Sequence, residues 1–200
     1  MMEYIQWFQH KVKENHNEQV LFPSIDGYLI QKIYKQQKEQ VDNVYFRVSR
    51  RAATVAGITD LRDIQRVAQR AYQGNYGDFL KNRFGIAMRK DDLRAEYDVN
   101  KRKDLLNQIL TDYEAEILQE AREERKSYFK YLDKKKIINR KKQVIFDFVA
   151  GGTVQYNFGK LLQKDFKGMY FATMNLPNDM YKLDTAMIDT AYGNVQSYGT

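Results

Sequence analysis

The chain predicts an α/β fold: a Rossmann-like, mostly parallel sheet with a large helical insertion between its second and third strands. Three observations predict it. Short apolar runs repeatedly pass through a polar or glycine-bearing turn into a helical pattern. Parallel neighbours require a long crossover, and a helix is the usual one. The run QVIFDFVA at 143–150 is apolar at both alternating positions, as a strand covered on both faces must be. Between the second and third such runs, residues 59–135 carry helical periodicity. The expected division is therefore a sheet core of 1–58 and 136–200 with a helical insertion of 59–135.

Each element follows from its residues. Ile5, Phe8 and Val12 fall at helical spacing, so the N-terminus reads as a short amphipathic helix. Its order of charges is not that of a signal peptide. Residues 18–23 form the first apolar run and end in Pro-Ser, a strand of about five residues. Residues 25–40 follow as a helix expected to turn Tyr28, Leu29 and Ile33 inward, with Asp26 as its cap. VYFRVS, at 44–49, is β-branched and aromatic, a second strand. Thr59-Asp60 signals a helix start, and Leu61, Ile64, Val67, Ala68 and Ala71 share one stripe. GNYGDFLKNRFGI is a turn, a short helix and a glycine stop. From Leu105 to Leu132 the apolar residues keep the 3.6-residue period, which predicts one helix of roughly eight turns and about 45 Å. Strand, helix and strand then resume at 143–148, 154–163 and 168–174.

Composition narrows the function. The chain is 43% hydrophobic and 30% charged, with 15 Tyr and 11 Phe, enough to fill a core. There is no cysteine, which excludes disulfides and thiolate metal sites and fits a reducing, cytoplasmic setting. Both histidines, His10 and His16, lie near the start, away from any carboxylate cluster, which argues against zinc. Carboxylate-held Mg2+ remains open. No apolar run reaches the roughly 18 residues of a membrane span. The net charge of +7 resides wholly in residues 121–142, and the other 178 residues balance. The tract KKKIINRKK reads either as a solvated connection or as a surface for a polyanion. It lacks the interleaved aromatics and module signatures of nucleic-acid binding.

Parallel sheets bind ligands beyond the carboxyl ends of their strands. Three polar turns fall there in this chain. In the third, Gly151 and Gly152 allow close backbone approach, Thr153 stands at the head of a helix, and Asp147 ends the strand. In the second, Ser49, Arg50 and Arg51 could grip a phosphate through paired guanidinium donors or face solvent and nearby acids. In the first, Ser24, Asp26 and Gly27 lead into a helix, with Asp26 either a cap or a catalytic or metal-binding carboxylate. Spacing rules out several motifs. Gly152 to Gly159 is two residues too long for a P-loop, and Leu161 follows Lys160. No G-x-G-x-x-G is present. A phosphoribosyltransferase turn has two adjacent acids before its glycines, whereas here Phe148 takes the place of the second.

Taken in order, VLFPSIDGYLIQKIY, VYFRVSRRAA, ILQEAREERKSYFKYL, VIFDFVAGGTVQYNFGKLL and GMYFATMN resemble one bacterial family. It is the region following the hydrolase domain in haloacid-dehalogenase-superfamily proteins of surface-polysaccharide biosynthesis, which often also carry glycosyltransferase domains. The resemblance covers residues 4–175. Ser24, Asp26, Gly27 and Tyr28 match the family's S-R-D-G-Y, with Ile25 in the arginine's place. Ser49, Arg50, Arg51 and Ala52 match S-R-R-A. Asp147, Gly152, Thr153 and Gln155 match D-I-G-W-x-G-T-x-Q, while Val149 and Ala150 stand for glycine and tryptophan.

The resemblance implies a cytoplasmic role in cell-surface glycan assembly, beside other domains of a larger synthesis protein. Together with the turns it gives a leading expectation: an accessory domain binding a phosphorylated sugar or nucleotide. Asp26 and Asp147 would act as catalytic or Mg2+-holding carboxylates. Ser24, Gly27, Ser49, Arg50, Arg51, Gly151, Gly152, Thr153 and Gln155 would line the phosphate site. The alternatives are a phosphoribosyltransferase-like or other phosphate-transfer enzyme, and a non-catalytic interaction module using the long helix and basic tract.

Overall fold

The structure is a computed structural model that describes residues 2–24, 26–48, 50–139, 142–174, 188–192 and 194–195. The chain divides into two compact units, Met1–Arg50 with Lys130–Thr200, and Arg51–Phe129.

The first unit is an α/β sheet whose strand pairings are all parallel, as the sequence predicts. Its strands are β1 (Gln19–Pro23), β2 (Asp42–Phe46), β3 (Gln143–Ala150), β4 (Lys167–Met174), β5 (Ile188–Thr190) and β6 (Asn194–Val195). They lie in the order β2-β1-β3-β4-β5, and β6 pairs with the end of β4. Three helices belong wholly to this unit: α1 (Met2–Glu14), α2 (Gly27–Tyr34) and α8 (Thr153–Leu162).

Side-chain alternation assigns the helices to faces. Val20 and Phe22 of β1, Val144 and Phe146 of β3, and Met169 of β4 pack with Tyr4, Ile5, Phe8 and Val12 of α1 and with Ile30 and Tyr34 of α2. The intervening residues point the other way. There Tyr170 of β4 reaches α8 through Gln155, and the rings of Phe46 in β2 and Phe158 in α8 lie 5.2 Å apart. The sheet is thus covered on both sides, which is why its strands are apolar at consecutive positions.

α2 buries Gly27, Ile30, Gln31 and Tyr34, while Tyr28 and Leu29 are 51% and 57% exposed. This corrects the expected inward face at Tyr28 and Leu29, whereas Ile33 packs against the core as expected. Gly27 sets the rotation, because a Cβ there would stand 2.8 Å from the Phe22 carbonyl carbon. The helix rests on its glycine and presents the i, i+3, i+4 and i+7 positions to the sheet.

The second unit is helical, with α3 (Arg50–Ala56), α4 (Leu61–Ala68), α5 (Tyr76–Phe84), α6 (Leu106–Asp112) and most of α7 (Glu114–Lys134), plus two short 3-10 turns at Leu93–Glu96 and Lys103–Leu105. Its own core is built from Val55, Ile58, Ile64, Val67, Tyr76, Phe79, Leu80, Phe84, Ile109, Leu110, Tyr113 and Ile117. Asp60 caps α4 by accepting from Asp63 N, Asn75 caps α5 by accepting from Asp78 N, and Gly85 ends α5 in the left-handed region at φ 86°.

The single eight-turn helix is also corrected. The run breaks at Tyr113, whose φ and ψ of −109° and 9° leave the helical region, so α7 has 21 residues and spans about 31 Å. The Tyr113 hydroxyl donates to Asp92 at 2.9 Å and accepts from Arg89 N at 3.0 Å. Those bonds hold Tyr113 at the break, while the apolar period runs on through it.

Candidate functional site

Strand order places the site. From β1 the chain moves to β2 on one side, whereas β3, which follows the helical unit, lies on β1's other side. The order reverses between β1 and β3, and α2 and α8 lie on opposite faces. A crevice opens beyond the carboxyl ends of strands at such a reversal. Ser24, Asp26 and Gly27 lie at its β1 side, and Gly151, Gly152 and Thr153 at its β3 side; Asp147 does not end the strand as expected but sits within β3, paired beside Tyr170, because the ladder with β4 continues to Ala150.

Both helices that begin there lack a side-chain cap from their N-cap residue. Asp26 occupies the N-cap of α2 but makes no capping bond. Its carboxylate is exposed, so the capping role expected of it is not realised. Gly152 is the N-cap of α8, at φ 77° and ψ 7°, a left-handed conformation that suits glycine. Thr153 is then the first helical residue. The first amides of a helix have no intrahelical acceptor, so these two ends favour anions. The contrast with the side-chain caps of α4 and α5 is clear.

Other expected ligand residues are committed to the fold. The Ser24 hydroxyl donates to Val48 O at 2.8 Å and accepts from Val48 N at 3.0 Å, clamping the end of β1 to the segment after β2. Gly27 is buried against Phe22 as described. Gln155 is 2% exposed; it donates to Phe166 O and accepts from the Tyr170 hydroxyl, both at 2.6 Å. It braces α8 against β4, over Gly168, where no Cβ would fit. Ser24, Gly27 and Gln155 therefore hold the crevice walls.

Asp147 is half-buried and accepts from Phe148 N at 2.9 Å. Its charge also reaches two phenols. Burial, with Asp147 adding to it, pushes Tyr4 and Tyr170 far above the usual phenol range, so both remain protonated donors. Ser49 lies outside the described residues. Arg50 and Arg51 open α3, but their guanidinium groups lie outside what is described, and Arg51 belongs to the helical unit.

The described residues contain no group of three or more His, Asp or Glu side chains able to hold a metal. Asp26 and Asp147 would suit Mg2+ as the one or two carboxylates it takes alongside phosphate oxygens and water. No described helix is long and apolar enough to cross a membrane. Of the basic tract, Lys134, Lys135, Lys136 and Lys142 are exposed, and Arg140 and Lys141 lie outside the described residues.

Phe148 and Phe171, side by side on β3 and β4, stack at 4.6 Å and 19°. Tyr192 continues the row 4.5 Å from Phe171, and Tyr4 meets Phe171 edge-on at 5.1 Å. In the sequence Phe148 stands only where a phosphoribosyltransferase turn has its second acid. Alternation could have put it beside Phe171 had the β3–β4 register been known.

A search of family models matches none to this chain, and no curated protein matches it.

Proposed function

We propose that the sheet unit binds a phosphorylated sugar or nucleotide in the crevice between β1 and β3, as the accessory domain of a cytoplasmic protein of bacterial cell-surface polysaccharide synthesis. The observation that carries the reading is the reversal of strand order between β1 and β3, with two helix starts on opposite faces of the sheet beside it. Gly151 and Gly152 bring bare backbone up to the phosphate at the head of α8, and Arg50, the last residue of the sheet unit before the helical one, supplies positive charge after β2. Asp26 and Asp147 take hydroxyls, or Mg2+ that bridges to the phosphate oxygens. The glycan-assembly context rests on the motif resemblance.

Calorimetric titration with sugar 1-phosphates and nucleoside diphosphates at saturating Mg2+ tests the reading. Binding is expected, with Asp26→Asn weakening it about tenfold, as loss of one charge-assisted bond does. No heat with any of these ligands removes the proposal.

A further inference from the structure

Aromatic rings gather on the α1 side of β3 and β4, with a polar defect among them. Tyr4 is 2% exposed, yet among the described residues its hydroxyl has no hydrogen-bond partner. A buried hydroxyl without a partner is costly and rare, and calls for an explanation. Tyr4 sits near the start of α1. The turn after α1 leads directly into β1, so that start lies over the carboxyl half of the strands. There its ring packs 6.1 Å from Phe146 and 5.1 Å from Phe171.

Beside the Tyr4 ring the others form a row. Phe148, Phe171 and Tyr192 follow one another from β3 to β4 and past β5, and Trp7 stacks on Tyr4 at 5.7 Å. The row is not closed core: Trp7, Phe148 and Phe171 are half-buried and Tyr192 is 61% exposed. Phe148 is the member nearest β1, hence nearest the point where strand order reverses. Aromatic rings stack on any nucleobase. A phenol held protonated by burial can only gain by donating to an acceptor brought to it.

We propose that the crevice takes a nucleotide, its base continuing the Phe148–Phe171 stack and accepting a hydrogen bond from the Tyr4 hydroxyl. This rests on the phosphate-binding reading above and narrows it: the ligand is a nucleoside diphosphate or a sugar carried on one, not a bare sugar phosphate. A base supplies both an aromatic face to continue the row and a ring-nitrogen or carbonyl acceptor for Tyr4, whereas a hexose phosphate supplies no aromatic face.

The test compares uridine and adenosine diphosphates with glucose 1-phosphate and inorganic pyrophosphate, by calorimetry on the full chain with Mg2+. At least one nucleotide is expected to bind about 5- to 100-fold more tightly than either base-free ligand, the increment of one stacked base. Phe148→Leu should erase that increment and leave pyrophosphate binding unchanged. Tyr4→Phe should weaken the nucleotide about fivefold or more, the loss of one hydrogen bond. It should also raise the unfolding midpoint of the ligand-free protein, because an unpaired buried hydroxyl is gone. Base-bearing and base-free ligands of equal affinity, or a Tyr4→Phe variant that binds nucleotide as the parent does, would overturn the inference while leaving the phosphate site standing. No binding by any of the four probes overturns both.

Discussion

Gly152 and Ser24 hold the two lips of the crevice by different means, and each can be tested by one substitution. At φ 77°, Gly152 sits where a Cβ meets the adjacent carbonyl, so Gly152→Ala should cost about 1–2 kcal/mol and shift the first turn of α8. Ser24 both donates to and accepts from Val48. Ser24→Ala leaves both Val48 groups without that partner and should destabilise by about 1–3 kcal/mol. Urea denaturation reads both, and Ser24→Ala unchanged from the parent would refute the clamp. These residues also show how far a site is legible in sequence. Turn position was readable, because glycines and polar residues punctuate strand ends, and Asp26, Gly152 and Thr153 stand where spacing put them. Side-chain allegiance was not. Ser24 and Gln155 look like ligand residues in a motif, but their partners, Val48 and Tyr170, are distant in the chain. Only the folded register pairs them.

Elements were legible where a local pattern sufficed. The rhythm of apolar run, turn and helix gave the parallel sheet, and Asp60 and Gly85 announced the ends of their helices. The failures had non-local causes. The face of α2 was set by Gly27 meeting Phe22, so Leu29 faced out despite its hydrophobicity. The break at Tyr113 was set by bonds to Asp92 and Arg89, about 20 residues earlier. That second case carries a pH prediction. The Arg94 side chain bonds both oxygens of Asp92, with Tyr113 adding a donor, and holds this carboxyl well below the usual carboxylate range. The folded form thus binds its proton less readily than the unfolded chain. The resulting stability is fully present above the unfolded pKa of about 4 and is lost as pH falls through the folded value. Asp92→Asn should therefore be less stable at pH 7, by about 1–3 kcal/mol. Its denaturation midpoint should then fall less steeply than the parent's between about pH 4 and 2, where Asp92 gains its proton in the unfolded parent but stays ionised in the folded one. Parallel curves for the two proteins would show that Asp92 does not supply the pH dependence.

At the scale of the whole molecule, each unit has the means to fold alone. The sheet unit has its aromatic core of Tyr4, Phe8, Phe22, Tyr34 and Phe146, and the helical unit a separate one around Phe79, Phe84, Ile109 and Tyr113. A domain with its own core can in principle stand by itself. The sheet unit is made of two chain segments, yet they meet near the cut. Arg47 N donates to the Tyr131 hydroxyl at 2.7 Å, tying the stretch after β2 to the end of α7 within that unit. A flexible linker of about six Gly and Ser residues, reaching roughly 13 Å, should therefore bridge the gap if residues 52–129 are removed. Both Arg50 and Arg51 stay in the shortened chain. It should keep the circular-dichroism signature of a mixed α/β protein, with less helix, and bind sugar phosphates and nucleoside diphosphates as the parent does, since every proposed ligand group remains. A shortened chain that is folded but has lost all affinity would place part of the ligand grip in the helical unit and end the assignment of binding to the sheet alone. A chain that keeps its affinity would assign the ligand grip to the sheet unit.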